Sequence, residues 1–365
     1  MARYLPRGGE AWEAAPTSLS VRDRYEQGYS GLLRAPDTER LFRAKSMETG
    51  GYANVAEASR VYGWAGAGEG KLVAPYVLCQ EMYPNCWPGA PQEVGDCVSH
   101  GTSNAIFTTA AFEIAYAKTQ GGASGLPVVD PRGVKDCVFS TEYLYWWRGY
   151  GGDGWDCQDA TRMAIEHGMM LRNNYPDIGI DLREYSGGLA HKYGSKSPPA
   201  NIEAIGKEHQ ITTAAACNSF EEVRDALYNG HGVVTDGGEG WSSNRDENGL
   251  SRRSGSWSHS MCCIAADDRD CVKKKYGEPL ICILNSWGVW NSGSRRIMES
   301  KEWIPPSKRE LWIKLGICDS EGFLLIPEGS YWTTYSSAKN RDFVACAGME
   351  RWARAPVTDY LPCFD

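Results

Sequence analysis

The 365 residues contain no run approaching the roughly 20 consecutive apolar residues that a membrane-crossing helix requires. The opening stretch, MARYLPRGGEAWEAAP, has no apolar core of the kind a secretory signal needs, so cytoplasmic synthesis without a signal peptide is expected. Positive charge is in deficit: 38 Lys and Arg stand against 46 Asp and Glu, a net charge of −8. An acidic surface repels polyanions, so neither nucleic acid nor an anionic membrane is expected as a partner. No two cysteines have C-x-x-C spacing, which removes zinc-ribbon and thioredoxin signatures. Cys79 and Cys86 have no histidine pair beside them, and no metal is expected. The glycines at 151–154 lack the Lys and Ser/Thr of a phosphate-cradling loop, and no cofactor is expected either. Internal repeats and low-complexity segments are also missing.

What is present fits a folded globular chain. Hydrophobic residues make up 42% and charged residues 23%, with ample length for one large or two ordinary domains. Residues 1–75 mix charge, Gly and Pro and read as an arm or small lobe, with a short amphipathic stretch at 37–45 and a glycine hinge at 66–70. Residues 76–330 read as the main domain, and 331–365 as a C-terminal extension without assignable structure. Within the main domain, 76–91 reads as irregular loop. A buried helix is predicted from Asp96 or Cys97 to about residue 120, with Asp96 as its N-cap. Further helices are predicted after Ser140, from Cys157 to His167 with Gly168 closing it, and from Ser219 to Asn229. Apolar runs at 232–234, 261–265, 280–284 and 323–326 read as strands. Helices first and strands afterwards is α+β segregation, not an alternating parallel sheet.

Of the 13 cysteines, Cys97 stands apart. It opens a helix, where unpaired backbone amides and the helix dipole favour a thiolate, the reactive form. The others read as reduced, buried, hydrophobe-like thiols. A thiol nucleophile needs a base and a group that orients the base. Among six histidines, His259 sits where Gly255-Ser-Trp-Ser-His-Ser runs into the apolar strand Met261-Cys-Cys-Ile-Ala. Asn285, in Ile283-Leu-Asn-Ser-Trp287-Gly288, ends the next strand, where a buried amide needs a hydrogen-bond partner. Trp287 is placed to shield such a pair from water. His100, three residues after Cys97 on the same helix, lies along the helix surface and suits a local polar contact better than a base. His167 suits a helix-end role.

Those residues, taken in order, resemble the papain-like cysteine peptidases, and in particular their divergent bacterial and phage-encoded members. Gln92-Glu-Val-Gly-Asp-Cys97 resembles the nucleophile motif, Ser-His259-Ser-Met the base motif, and Asn285-Ser-Trp-Gly the orienting motif. Between them, Gly151-Gly-Asp-Gly-Trp155, Ala164-Ile-Glu-His-Gly168 and Arg172-Asn-Asn-Tyr175-Pro176 resemble the family's glycine-rich substrate strand and the segments after it. The resemblance covers residues 80–330. It implies a two-lobed α+β fold, a helical lobe with a long central helix facing a strand-rich, barrel-like lobe. It also implies hydrolysis of peptide bonds by Cys97, His259 and Asn285. Gln92 would complete the oxyanion hole, and Gly152, Asp153, Gly154 and Trp155 would bind substrate, Trp155 as a subsite wall. Gln92 is five residues before Cys97, where papain has six, and Pro91 fills the sixth position. Val98, His100 and Ser258 also depart from the commonest family residues.

Two other readings use the same residues. In one, the chain is a structural or binding component of a virus particle or similar assembly, its terminal extensions held by neighbouring subunits. In the other, it is a cell-wall peptide amidase or acyl-transferase with related thiol chemistry.

Overall fold

The computed structural model describes residues 32, 38–49, 51–52, 54–84, 86–119, 137–291, 293–348 and 363–364. Most of the predicted arm and residues 349–362 of the predicted tail lie outside the described residues. Helices dominate up to residue 194 and strands thereafter, so the α+β class and its division into helical and strand-rich halves stand as the sequence predicted.

The helices up to residue 228 are α1 (Thr38–Glu48), α2 (Val55–Tyr62), α3 (Tyr76–Met82), α4 (Cys97–Thr119), α5 (Thr141–Trp146), α6 (Cys157–His167), α7 (Gly187–Gly194) and α8 (Phe220–Tyr228), with shorter turns between them; Asp270–Tyr276 and Arg309–Lys314 are helical further on. Helix α4 is the centre. Its 23 residues span about 35 Å, and nearly every side chain described on it is buried, as expected of a helix that is apolar and small all round. Polar side chains start the flanking helices. Ser140 accepts from the Tyr143 amide at 3.1 Å, Asp156 from Gln158 and Asp159 at 2.9 and 3.2 Å, and Ser219 from Glu222 at 3.2 Å.

The main strands are β1 (Leu72–Val73), β2 (Thr213–Ala216), β3 (Val233–Arg245), β4 (Ser251–Asp267), β5 (Leu280–Leu284), β6 (Ser330–Thr334) and β7 (Asp342–Ala347). The sheet runs β6–β5–β4–β3–β7–β2, every neighbouring pair antiparallel. The runs 261–266 and 281–284 are buried on both faces, which explains their near-continuous apolar sequence. Strands β3 and β4 form a long hairpin in which Gly237 pairs with His259 and the register shifts just beyond that pair. Such a bulge bends and twists the ribbon.

Helix α4 lies against the sheet at van der Waals distance because small residues line the contact. A Cβ on Gly101 would sit 2.9 Å from the Met261 carbonyl oxygen and 3.0 Å from Ser260 Oγ. At Gly232 it would sit 1.8 Å from the Ala105 carbonyl oxygen. Thr109 Oγ1 closes the seam, accepting from the Gly232 amide at 2.9 Å and donating to the Cys346 carbonyl at 3.0 Å.

Several sequence boundaries move. The predicted break at 330 falls inside the fold: β6 pairs with β5, and β7 lies between β3 and β2. The break at 75 has no counterpart either, since β1 pairs with the end of β4. The glycines read as a hinge are pinned: the amides of Gly66 and Gly68 donate to Asp225 and that of Gly70 to Asp268. Arg224 bridges the two carboxylates. Residues 76–82, read as loop, form α3, and of the run 323–326 only Leu325–Ile326 is a strand, paired with Arg295–Arg296 outside the main sheet. For the strands and the glycines a tertiary contact decided the conformation, not local composition. Among the described residues no helix is long and apolar enough to cross a membrane.

Candidate active site

Near its start, at Gly101, α4 meets β4 just after His259. Cys97 opens the helix and is fully buried. As the first helical residue, its N–H has no intrahelical acceptor. Gly101, one turn along the same face, is the point of contact with Ser260 and Met261, the two residues after His259. The cysteine and the histidine thus belong to elements that touch one turn beyond Cys97.

His259 Nε2 lies 2.8 Å from Asn285 Oδ1. The amide oxygen can only accept, so Nε2 carries the hydrogen and Nδ1 is the basic nitrogen of this tautomer. Both residues are buried, and Trp287 stacks on the imidazole with ring centroids 4.7 Å apart and planes 26° from parallel. Trp257 packs against Trp287 at 4.7 Å, extending the apolar cover. Burial pushes the His259 imidazole down to about 3, against the opposing pull of the Asn285 hydrogen bond, with the positive charge of Arg341 and then His100 adding to the depression. At neutral pH the ring is therefore a neutral acceptor. By contrast, burial pushes the thiols of Cys79, Cys263 and Cys346 up to about 12, which keeps them protonated and inert.

Gln92 ties the two halves together in front of Cys97. Its backbone amide donates to the Ser286 carbonyl at 2.8 Å, and its side-chain oxygen accepts from the Ser286 hydroxyl. Its side-chain nitrogen donates to the Val94 carbonyl at 2.8 Å. The amide is thus fixed between the Asn285 strand end and the turn that leads into Cys97.

The glycine-rich segment lies beside that same turn. The Gly154 amide donates to the Gly95 carbonyl at 3.0 Å. Asp153 packs on Gly95 so closely that a Cβ there would sit 2.4 Å from its own. Gly152 has φ +84° and open space where a side chain would project. Trp155 corrects the sequence reading. Only 2% exposed, it sends its indole N–H to Asp159 Oδ2 at 2.8 Å and packs on Tyr145, so it is a core ring and not the wall of an open subsite.

His100 sits in a local polar cluster. Its Nε2 is 3.4 Å from Asp96 Oδ2, and its ring meets Tyr185 edge-on at 4.9 Å. Tyr185 donates to both Asp96 oxygens, at 3.2 and 3.0 Å. The Asp96 carboxylate is therefore engaged sideways, whereas the sequence had it capping the helix. His167, at the helix end, stacks on Trp147 at 3.5 Å and lies 3.1 Å from Glu203.

Sequence reasoning missed Arg341 and Tyr185. The Arg341 side chain is wholly buried, and its Nη2 donates to the His259 carbonyl at 2.5 Å while Nε reaches Thr235 Oγ1 at 3.2 Å. It arrives 82 residues after the histidine, from a turn with no motif. Ser286, by contrast, stands inside Asn-Ser-Trp-Gly and was open to reading as the partner of Gln92.

No protein-family profile matches the chain, and no curated protein does. Among solved structures it is similar to xylellain, a cysteine protease from Xylella fastidiosa, at 16% identity and a TM-score of 0.42, over 76% of this chain and 86% of that one. It is also similar to procathepsin B S9 from Trypanosoma congolense, at 14% identity and a TM-score of 0.31, over 73% of this chain and 75% of that one.

Proposed function

We propose that this protein is a thiol-dependent peptidase of the papain-like kind, with Cys97 as nucleophile, His259 as acid and base, and Asn285 as the group that orients the base. The observation that carries this reading is the buried His259–Asn285 pair under Trp287, with His259 on the strand that touches the Cys97 helix at Gly101, one turn beyond the cysteine. In the reaction, the Cys97 sulfur attacks a peptide carbonyl as its proton passes to His259 Nδ1. The carbonyl oxygen gains charge, and the Cys97 N–H and the Gln92 amide are the donors assigned to it. His259 returns the proton to the leaving amine, giving a thioester. Water, deprotonated by His259, then releases the acid and restores the thiol. Asn285 holds the ring in the tautomer that bares Nδ1, the role that the orienting member of such triads plays.

The test is covalent. Treatment with an epoxide thiol inactivator and peptide mapping by mass spectrometry is expected to place a single adduct on Cys97, lost in His259→Ala. Adducts spread over several cysteines at the rate of an ordinary thiol would overturn the assignment.

A further inference from the structure

The segment 149–154, Gly-Tyr-Gly-Gly-Asp-Gly, has four glycines in six residues and little conformational preference of its own. Gly149, Gly152 and Gly154 adopt φ of +71°, +84° and +90°. What shapes it is Arg148. Nη1 donates to the Gly154 carbonyl at 2.6 Å, and Nη2 donates to the Tyr150 carbonyl at 2.6 Å and to that of Gly152. Nε reaches the Gly194 carbonyl at 3.4 Å. Tyr145 and Tyr150 cover the guanidinium, with centroids 4.4 and 4.3 Å away. Arg148 is 7% exposed, and among the described residues no carboxylate stands within ion-pair distance of it. A charge so buried is tolerable only while those carbonyls converge on it, so the side chain and the loop conformation specify each other.

The same cage reaches the nucleophile's turn. Tyr145 Oη accepts from the Gly154 amide at 3.1 Å and donates to the Gly95 carbonyl at 3.2 Å, two residues before Cys97. The opposite side of the segment is open: a side chain at Gly151 or Gly152 would meet nothing. The adjoining residue, Trp155, already pairs in parallel with the extended backbone of Leu32.

We propose that Arg148 is the positioning residue that gives the 152–154 segment its peptide-binding shape, setting affinity for an extended peptide without setting the reactivity of Cys97. This rests on the thiol-peptidase reading above.

The test compares two probes on the full chain: iodoacetamide, which needs only the thiol, and a peptidyl epoxide, which must also lie along the segment. Arg148→Lys keeps the charge but loses the fork, Arg148→Met removes both, and Tyr150→Phe deletes only the hydroxyl that donates to the Gly154 carbonyl at 3.0 Å. In Arg148→Lys, the second-order rate of Cys97 labelling by the peptidyl epoxide is expected to fall on the order of 10- to 100-fold. Tyr150→Phe should show a smaller fall. Labelling by iodoacetamide is expected to stay at the wild-type rate. Should Arg148→Met fail to fold, the other two variants decide. Parallel loss with both probes would make Arg148 a support of the nucleophile or of the fold, and an unchanged peptidyl rate in folded variants would remove its role; either result overturns the proposal. A wild-type protein whose Cys97 reacts selectively with neither probe would sink the peptidase reading itself, and the proposal with it, before any variant is made.

Discussion

His259 makes the pH dependence of stability a sharp test of the site. Its imidazole titrates at about 3 in the folded protein and at ~6.5 in an unfolded chain. Between those values the unfolded state binds a proton that the folded state refuses, so stability falls as the solution is acidified. The loss begins below ~6.5 and stops growing only below about 3, with a ceiling of about 5 kcal/mol. At about pH 5 the unfolded imidazole is almost fully protonated and the folded one is not, which corresponds to about 2 kcal/mol lost relative to about pH 8. The perturbation is His259→Gln, which cannot titrate. Urea unfolding of both proteins across this range should show the wild type losing about 2 kcal/mol more than the variant. At the alkaline end the variant starts lower by about 1–3 kcal/mol, because Asn285 loses its buried partner. Equal pH slopes would refute the reasoning. A reversed slope would mean that His259 is held as an imidazolium by a negative neighbour, as the proposed Cys97 thiolate would be.

Two further perturbations probe the same region. Asn285→Ala removes the acceptor at 2.8 Å from His259 Nε2, and peptide hydrolysis should lose kcat by roughly 10²-fold or more with little change in KM; an unaltered kcat would exclude Asn285 as the orienting group. Gly101→Ala places a methyl 2.9 Å from the Met261 carbonyl oxygen, and chemical denaturation should show a loss of about 1–3 kcal/mol in spite of alanine's better helix propensity. A stabilised variant would contradict the close seating of the nucleophile helix on the sheet.

The sequence was most legible where local pattern and tertiary role agree. Helix α4 could be read because apolar and small residues continue without a breaker, and the Cys157 and Ser219 helices because a side-chain cap and a stop signal bracket each. His259 and Asn285 were legible because both end or begin apolar strands, where a polar side chain demands a partner. Arg341 was not, because what makes it matter is a carbonyl 82 residues away. Trp155 misled for the opposite reason: its place beside the glycines suggested a surface role, but its ring turns inward to Asp159. The segments near residues 72 and 331–347 were read as extensions because short strands leave little periodicity in sequence. Sheet pairing supplied by other segments is what fixes them.

The abundance of buried cysteines has a practical consequence. Apart from Cys97, nine of the twelve cysteines described are buried, and they are spread over α3, α6, β4, β5, β7 and the connections between them. A buried thiol reacts only when its surroundings open, so its rate of alkylation measures the free energy of that opening. The chain therefore carries a set of clocks at fixed places in its core. Timed labelling would read out which strands and helices open singly and which only in concert, without introducing a single foreign probe.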